Sequence, residues 1–242
     1  MSVTVSLDAA GRYFATFLCT DVPAKDTTAT DREVGIDLGI ETLATFSDGT
    51  KIGNPRHLKK YERKLAREQR RLSRRKGARR GEKQSMRYLK QKKRVARVHA
   101  KITDARTDAL HKVTTMLADE NQVLCMENLN AKGMARNHHL AKAVSDASFG
   151  EFARLLEYKC AERGRTLVKV GRFYPSSKTC SVCGHRLDVL PLSVRSWDCP
   201  ACGVHHDRDV NAARNILTEG KRILSNTEGT AGHAGTVAAT VA

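Results

Sequence analysis

Aromatic residues are scarce in this chain, with one Trp, five Tyr and six Phe among 242 residues. Long apolar runs are missing too. No stretch approaches the ~20 residues that cross a bilayer as a helix, and no secretory leader pattern is seen. Those absences count against a membrane anchor and an oxidising compartment, so a reducing, cytoplasmic setting is expected. Negative charge is missing from one place in particular. Between Arg56 and Lys101 only 3 Asp/Glu stand against 21 Lys/Arg, while the rest of the chain is close to balance. That segment therefore accounts for the whole net charge of +17. Such a concentration is the electrostatic footprint of a protein that binds a polyanion. A membrane-surface helix would need Trp or Phe on its apolar face, and the segment offers only Tyr61 and Tyr88. Contact with nucleic-acid phosphates, with little base stacking, is favoured over an anionic membrane or a merely solvated face. Arg70, Arg71, Arg74 and Arg75 are the candidate contacts.

Cysteine is sparing but clustered. Cys19, Cys125 and Cys160 lie in apolar patterns and are expected to be core thiols. Cys180, Cys183, Cys199 and Cys202 read C-x2-C-x15-C-x2-C, with Gly184 and Gly203 after the two pairs. Each C-x2-C turn presents two thiolates, and two turns complete a tetrahedral sulfur shell suited to Zn2+. Four ligands leave no open position, so the site is expected to be structural. Two redox or disulfide pairs are the alternative, and His205 or His206 could substitute as a ligand.

Along the chain, residues 2–7 and 12–19 read as a β-hairpin, followed by a polar linker from Lys25 to Arg32. Val34–Ile40, Leu43–Ser47 and Lys51–Ile52 read as three strands. Asn54-Pro55 looks like an N-cap with Pro at the first helical position. The basic segment has helical periodicity on both sides of a loop-like stretch at Gly77–Gly81, predicting two long helices in a hairpin with a narrow apolar seam. A plain coiled coil would mix both charge signs on its flanks. Gln122–Glu127 is a fourth strand. Residues 130–147, with His138 and His139, read as a loop. Ser148 and Glu151 look like a capping box opening a helix that Gly164 ends. Thr166–Val170 is a fifth strand, and a last helix covers about Arg208–Thr218. The Gly/Thr/Ala-rich tail after Ser225 is expected to be disordered.

Three acids stand out by context. Asp37 lies inside an apolar strand between Gly35 and Gly39, Glu127 ends a buried strand, and Asp209 opens the last helix. Carboxylates in buried strands are costly unless paired or metal-bound. Three brought together call for cations, and two Mg2+ ions would meet that need and support phosphodiester hydrolysis. Each acid also has a plainer reading: a strand-end bulge for Asp37, an ion pair with the basic hairpin for Glu127, and a favourable helix dipole for Asp209. Asp207 competes for the third role but is better placed as the helix N-cap.

Gly35-Ile-Asp-Leu-Gly39, Met126-Glu-Asn-Leu129, the paired C-x2-C motifs and Asp207-Arg-Asp-Val-Asn-Ala-Ala213 occur in this order in the TnpB (OrfB) transposon-encoded proteins, RNA-guided DNA endonucleases related to type V CRISPR effectors. The chain resembles that family over roughly 33–220. The resemblance implies an α/β fold: an RNase H-like (RuvC) nuclease core with an inserted basic helical hairpin and zinc ribbon. It implies Asp37, Glu127 and Asp209 as Mg2+-binding catalytic acids, Cys180, Cys183, Cys199 and Cys202 as Zn2+ ligands, and guide RNA and target DNA as partners. It divides the chain into a hairpin and linker (1–32) resembling the end of a wedge domain, a core (33–175) with the basic hairpin at about 55–120, a zinc ribbon (176–206), a final helix (207–224) and a tail (225–242). Typical members extend further at the N-terminus. A non-catalytic nucleic-acid-binding regulator and a transposition accessory are the rival functions.

Overall fold

The computed structural model describes residues 2–20, 22, 29–75, 77 and 83–228. The chain divides into two compact units, one of residues 1–24 and 56–111, the other of residues 25–55 and 112–242. Among the described residues, no helix is long and apolar enough to cross a membrane.

The first unit is a β-hairpin and a helical pair. Strands β1 (Ser2–Leu7) and β2 (Tyr13–Leu18) pair antiparallel, with Leu7 opposite Tyr13. Their side chains are exposed along both strands. Cys19 is therefore an exposed thiol and not a core residue, because a two-stranded ribbon has no interior of its own. At the turn, Arg12 bridges Asp8 (2.7 Å) and Asp104 (2.5 Å). Helices α1 (His57–Ser73) and α2 (Met86–Glu120) form the predicted basic pair. Their seam is short: Leu65, Val98 and Ile102 are buried, with Leu58, Tyr61 and Val95 against them. Met86 and Leu89, in the first turn of α2, are exposed and stay outside this seam. Arg56, not Asn54, precedes α1, in a left-handed conformation without a side-chain cap. Asn54 instead donates to the Ile40 carbonyl. Most of the Gly77–Gly81 connection lies outside the described residues.

The second unit is an α/β layer built on a mixed five-stranded sheet. Strands β3 (Glu33–Leu38), β4 (Thr42–Phe46), β5 (Lys51–Gly53), β6 (Val123–Glu127) and β7 (Thr166–Val170) are ordered β5-β4-β3-β6-β7. β3, β6 and β7 run parallel, while β4 pairs antiparallel with both β3 and β5. Parallel strands are covered on both faces and read as continuous apolar runs. In β6, Cys125 packs with Val168, Val170 and Ile216 on one face, and Leu124 and Met126 are buried on the other.

Between β6 and β7 the segment read as a loop contains two short helices, α3 (Ala131–Met134) and α4 (Ala141–Ala147). Ala-rich local sequence suffices for such turns. Helix α5 (Phe149–Glu162) follows, without the predicted capping box. Ser148 has φ 54°, and its hydroxyl donates to the Ser145 carbonyl, while Glu151 pairs with Arg154. Two short antiparallel strands, β8 (Ser196–Asp198) and β9 (His205–Asp207), precede helix α6 (Arg208–Glu228). Helix α6 runs past Ser225, where the tail was expected to begin. The remainder of that tail, and residues 25–28 of the Lys25–Arg32 linker, lie outside the described residues.

Helix α6 packs on β3, β4, β6 and β7. A Cβ at position 35 would fall 2.0 Å from the Ala213 carbonyl oxygen, and one at position 220 would fall 2.2 Å from the Cys125 sulfur. Glycine is required at these close approaches. Gly35→Ala should cost about 1–3 kcal/mol by overpacking. Gly53→Ala, at a position with open space, should cost less than 1 kcal/mol by the strand scale. Urea denaturation of both variants checks the contrast.

Candidate functional site

The periods of strand and helix assemble the acids. Gly35 pairs with Cys125 and Ile36 with Met126 in parallel register. Two residues beyond the Gly35–Cys125 pair, Asp37 and Glu127 return to the face that α6 covers, at the ends of their strands. On α6, Asp209 stands one turn before Ala213, whose carbonyl lies over Gly35. The three predicted acids therefore converge at one corner of the second unit.

Their electrostatics agree. Burial, then the charges of Glu127 and Asp209, push the Asp37 carboxyl from its ordinary 3.8 up to about 8. Arg208 offsets only part of this. Glu127 is also raised by burial, against the hydrogen bond it accepts from Ser176. That bond, Ser176 Oγ to Glu127 Oε1, is 2.8 Å long. Neither of the plainer roles, a bulge acid or an ion pair to the basic hairpin, is seen for Asp37 or Glu127 among the described residues.

Asp207 and Asp209 separate as their positions suggest. Asp207 Oδ1 accepts the backbone N–H groups of Asp209 (3.1 Å) and Val210 (3.0 Å), and Oδ2 meets Lys51 Nζ at 2.7 Å. Partial burial raises the Asp207 carboxyl, but Lys51 and the two N–H groups outweigh it and hold it below the ordinary range. Asp207 is the N-cap. The Asp209 side chain has no such partner among the described residues, so it is left to the carboxylate group.

The four cysteines form a second centre. Sγ of Cys180 and Cys202 are 3.7 Å apart, and those of Cys183 and Cys199 are 3.6 Å apart. Four sulfurs at 2.3 Å from a tetrahedral centre would be about 3.8 Å apart, whereas a disulfide needs about 2.05 Å. The spacing fits a metal and not cystine. Among the described residues these cysteines are the group of three or more His, Cys, Asp and Glu whose ligand atoms close within 4.8 Å of one another. The acids stand wider. Gly184 (φ 77°) and Gly203 (φ 73°) close the two knuckles in the left-handed region. His206 is not in the sulfur shell. Its Nε2 lies 3.0 Å from Cys180 Sγ, and its ring packs on Trp197. His205 pairs with Asp198, and His138 and His139 are exposed, their rings 3.9 Å apart and tilted by 42°.

Sequence reasoning missed the root that joins the two centres. Asn211 and Asn215, one helical turn apart and almost fully buried, both donate to the carbonyls of Ser176 and Thr179. Asn211 Oδ1 in turn accepts the Ser181 N–H at 2.9 Å. The segment that holds Ser176 against Glu127 thus runs straight into the Cys180 knuckle, pinned to the helix that carries Asp209. Arg208 adds a second tie through the Pro191 and Val194 carbonyls. Two asparagines on an otherwise apolar helical face are the available signal, since Asn disfavours helix interiors unless its amide is used.

The basic candidates belong to the first unit. Arg71 meets Glu68 at 3.2 Å. Arg70 and Arg75 donate to the Ala66 and Arg87 carbonyls. Arg74 ends α1.

The family model OrfB_IS605, described as "Probable transposase", matches residues 17–138, and the model "Cas12f1-like, TNB domain" matches residues 149–216. A "Putative RNA-guided DNA endonuclease" of Streptomyces pristinaespiralis is 50% identical over 221 residues, covering 90% of this chain and 52% of that protein. One from Escherichia coli K12, InsQ, is 32% identical over 207 residues, covering 79% and 50%. The chain spans about half the length of these curated relatives. Among solved structures, a Cas12f1–sgRNA–target DNA complex aligns with TM-score 0.53 at 20% identity, over 89% of this chain and 55% of that one. A CRISPR–Cas12f ternary complex aligns with TM-score 0.55 at 23% identity, over 89% and 44%. At this identity the structures support the fold alone.

Two measurements follow from the site. Between about pH 4 and 8 the unfolded chain ionises residue 37 while the folded chain keeps it protonated. Stability at that group is therefore present below pH 4 and lost as pH rises through about 8. Without added Mg2+, the melting temperature should fall over this range relative to Asp37→Asn. Millimolar Mg2+ at pH 8 should raise it in the wild type only. Elemental analysis should find one zinc per chain, lost in Cys180→Ser together with at least about 2 kcal/mol of stability, or roughly 4–8 °C.

Proposed function

The chain belongs to the OrfB (TnpB) family of IS605-type elements, and from that membership we propose that it is a metal-dependent DNA endonuclease guided by RNA, with an RNase H-like (RuvC) core. The carrying observation is the convergence of Asp37, Glu127 and Asp209 at one corner, with the Asp37 carboxyl pushed up to about 8 by burial and its two neighbours. An all-oxygen donor set that resists ionisation without a cation fits Mg2+, and its wide spacing suits two ions better than one. Bound there, such ions would supply an activated water and neutralise charge on a scissile phosphodiester.

The chain's own residues prepare that corner. Ser176 occupies Glu127 Oε1 and so orients the other carboxylate oxygen. Asp207 is spent on the helix cap and Lys51, which keeps it out of the donor set. Asn211 and Asn215 hold the Ser176 segment on α6, so the cysteine module, with Zn2+ in it, positions the acids without touching substrate. Arg70, Arg71, Arg74 and Arg75 would contact guide RNA or target DNA through phosphates. A binder without cleavage is the second reading. It is favoured because the excess positive charge and the acids belong to different units, so binding can persist without them.

Purified chain carrying co-expressed RNA, incubated with single- and double-stranded DNA and Mg2+, should cleave. Asp37→Ala should lose at least about 100-fold, beyond the usual cost of an outer-shell change, while binding DNA as tightly as the wild type. Absence of cleavage with binding intact would establish the second reading.

A further inference from the structure

Positive charge is managed differently in the two units. In the second, many of the cations have acids: Arg163 with Asp119, Lys221 with Glu33, Arg222 with Glu219 and Lys51 with Asp207. In the first, α1 and α2 enclose a groove of about 310 Å3 lined by Lys64, Glu68, Arg71, Arg94, Arg97, Val98 and Lys101. Among the described residues Lys64, Arg94, Arg97 and Lys101 have no acidic partner.

The spacing is regular. Lys64, Glu68 and Arg71 step by four and three along α1, and Arg94, Arg97 and Lys101 step by three and four along α2. Each set therefore lines about 10 Å of one helical face. Leu65, Val98 and Ile102 pack beneath them and hold the two rows opposite one another. The single acid is turned inward. Glu68 is buried, its Oε2 accepts from Gln91 Nε2 at 2.8 Å, and its Oε1 meets Arg71 Nη1 at 3.2 Å. Five cations around one engaged carboxylate repel each other unless an anion enters. Two parallel rows suit a chain of anions better than a single one.

We infer that this groove seats the backbone phosphates of one nucleic-acid strand. The inference rests on the nucleic-acid reading above but names a different surface. Of the arginines singled out in the sequence, only Arg71 lines it. With no aromatic side chain in the lining, the seat reads charge and not bases.

The test measures binding of fluorescein-labelled single-stranded RNA, single-stranded DNA and duplex DNA to the full chain by anisotropy, at 0.05–0.4 M salt. Arg94→Ala/Arg97→Ala should weaken at least one of these about 50-fold at 0.1 M and reduce the salt slope by about two. Lys64→Ala/Lys101→Ala should do the same. Arg154→Ala/Arg222→Ala, the same charge change at exposed arginines already paired with Glu151 and Glu219, should alter the slope by less than about 0.5. Circular dichroism melts confirm that all variants fold. Equal losses in the groove and control pairs overturn the proposal, as does groove-dependent binding of inorganic phosphate alone. Wild-type binding to none of the three probes overturns the nucleic-acid reading as well.

Discussion

Helix α6 lies so close to β3 that the Ala213 carbonyl fills the space a Cβ of residue 35 would need. Most of the second unit depends on that contact. It sets the helix over the sheet in one register, with Gly220 admitting the Cys125 sulfur further along, and so fixes where the first turn of α6 ends up. Asp209 then meets Asp37 and Glu127 without any loop being asked to hold it. A site built on two strand ends and a helix start is stiff, which is what carboxylates that repel one another require if they are not simply to spread further apart.

The cost of that arrangement is visible in Asp37, and the arrangement is stabilised from one side by the cysteine module. Ser176, Thr179 and Ser181 are tied to Asn211 and Asn215, and Arg208 reaches the Pro191 and Val194 carbonyls. The module is thus continuous with the acids through buried and part-buried hydrogen bonds, where an unmade bond would be expensive. Its cysteines need not approach substrate to matter.

Charge is segregated along the chain in a complementary way. The second unit tolerates clustered acids and pairs many of its cations, while the helical pair of the first unit leaves a row of cations unpaired. On the function proposed above, one unit would hold a small cation and the other a polyanion. A nuclease needs both, and a binder needs only the second.

Much of this was legible in the sequence. C-x2-C pairs, a lone acid in an apolar run, and a block of like charge are local signals, and the structure gathers the four sulfurs, sets Asp37 under the charges of Glu127 and Asp209, and puts the like charge on α1 and α2. Helix ends were less legible: Asn54 and Ser148 have the right side chains for caps, yet neighbouring backbone used them differently. Cys19 looked buried because apolar alternation records only the capacity to pack, and its ribbon has nothing beneath it. The Ser176–Glu127 bond, the asparagine clamp and the groove of Lys64, Arg94, Arg97 and Lys101 join positions far apart in the chain. The sequence by itself determined which residues could carry charge, bind metal or form each element, because those properties belong to side chains and short-range periodicity. Only the tertiary structure decided which of them meet, because that depends on strand register and on how closely one helix can approach one glycine.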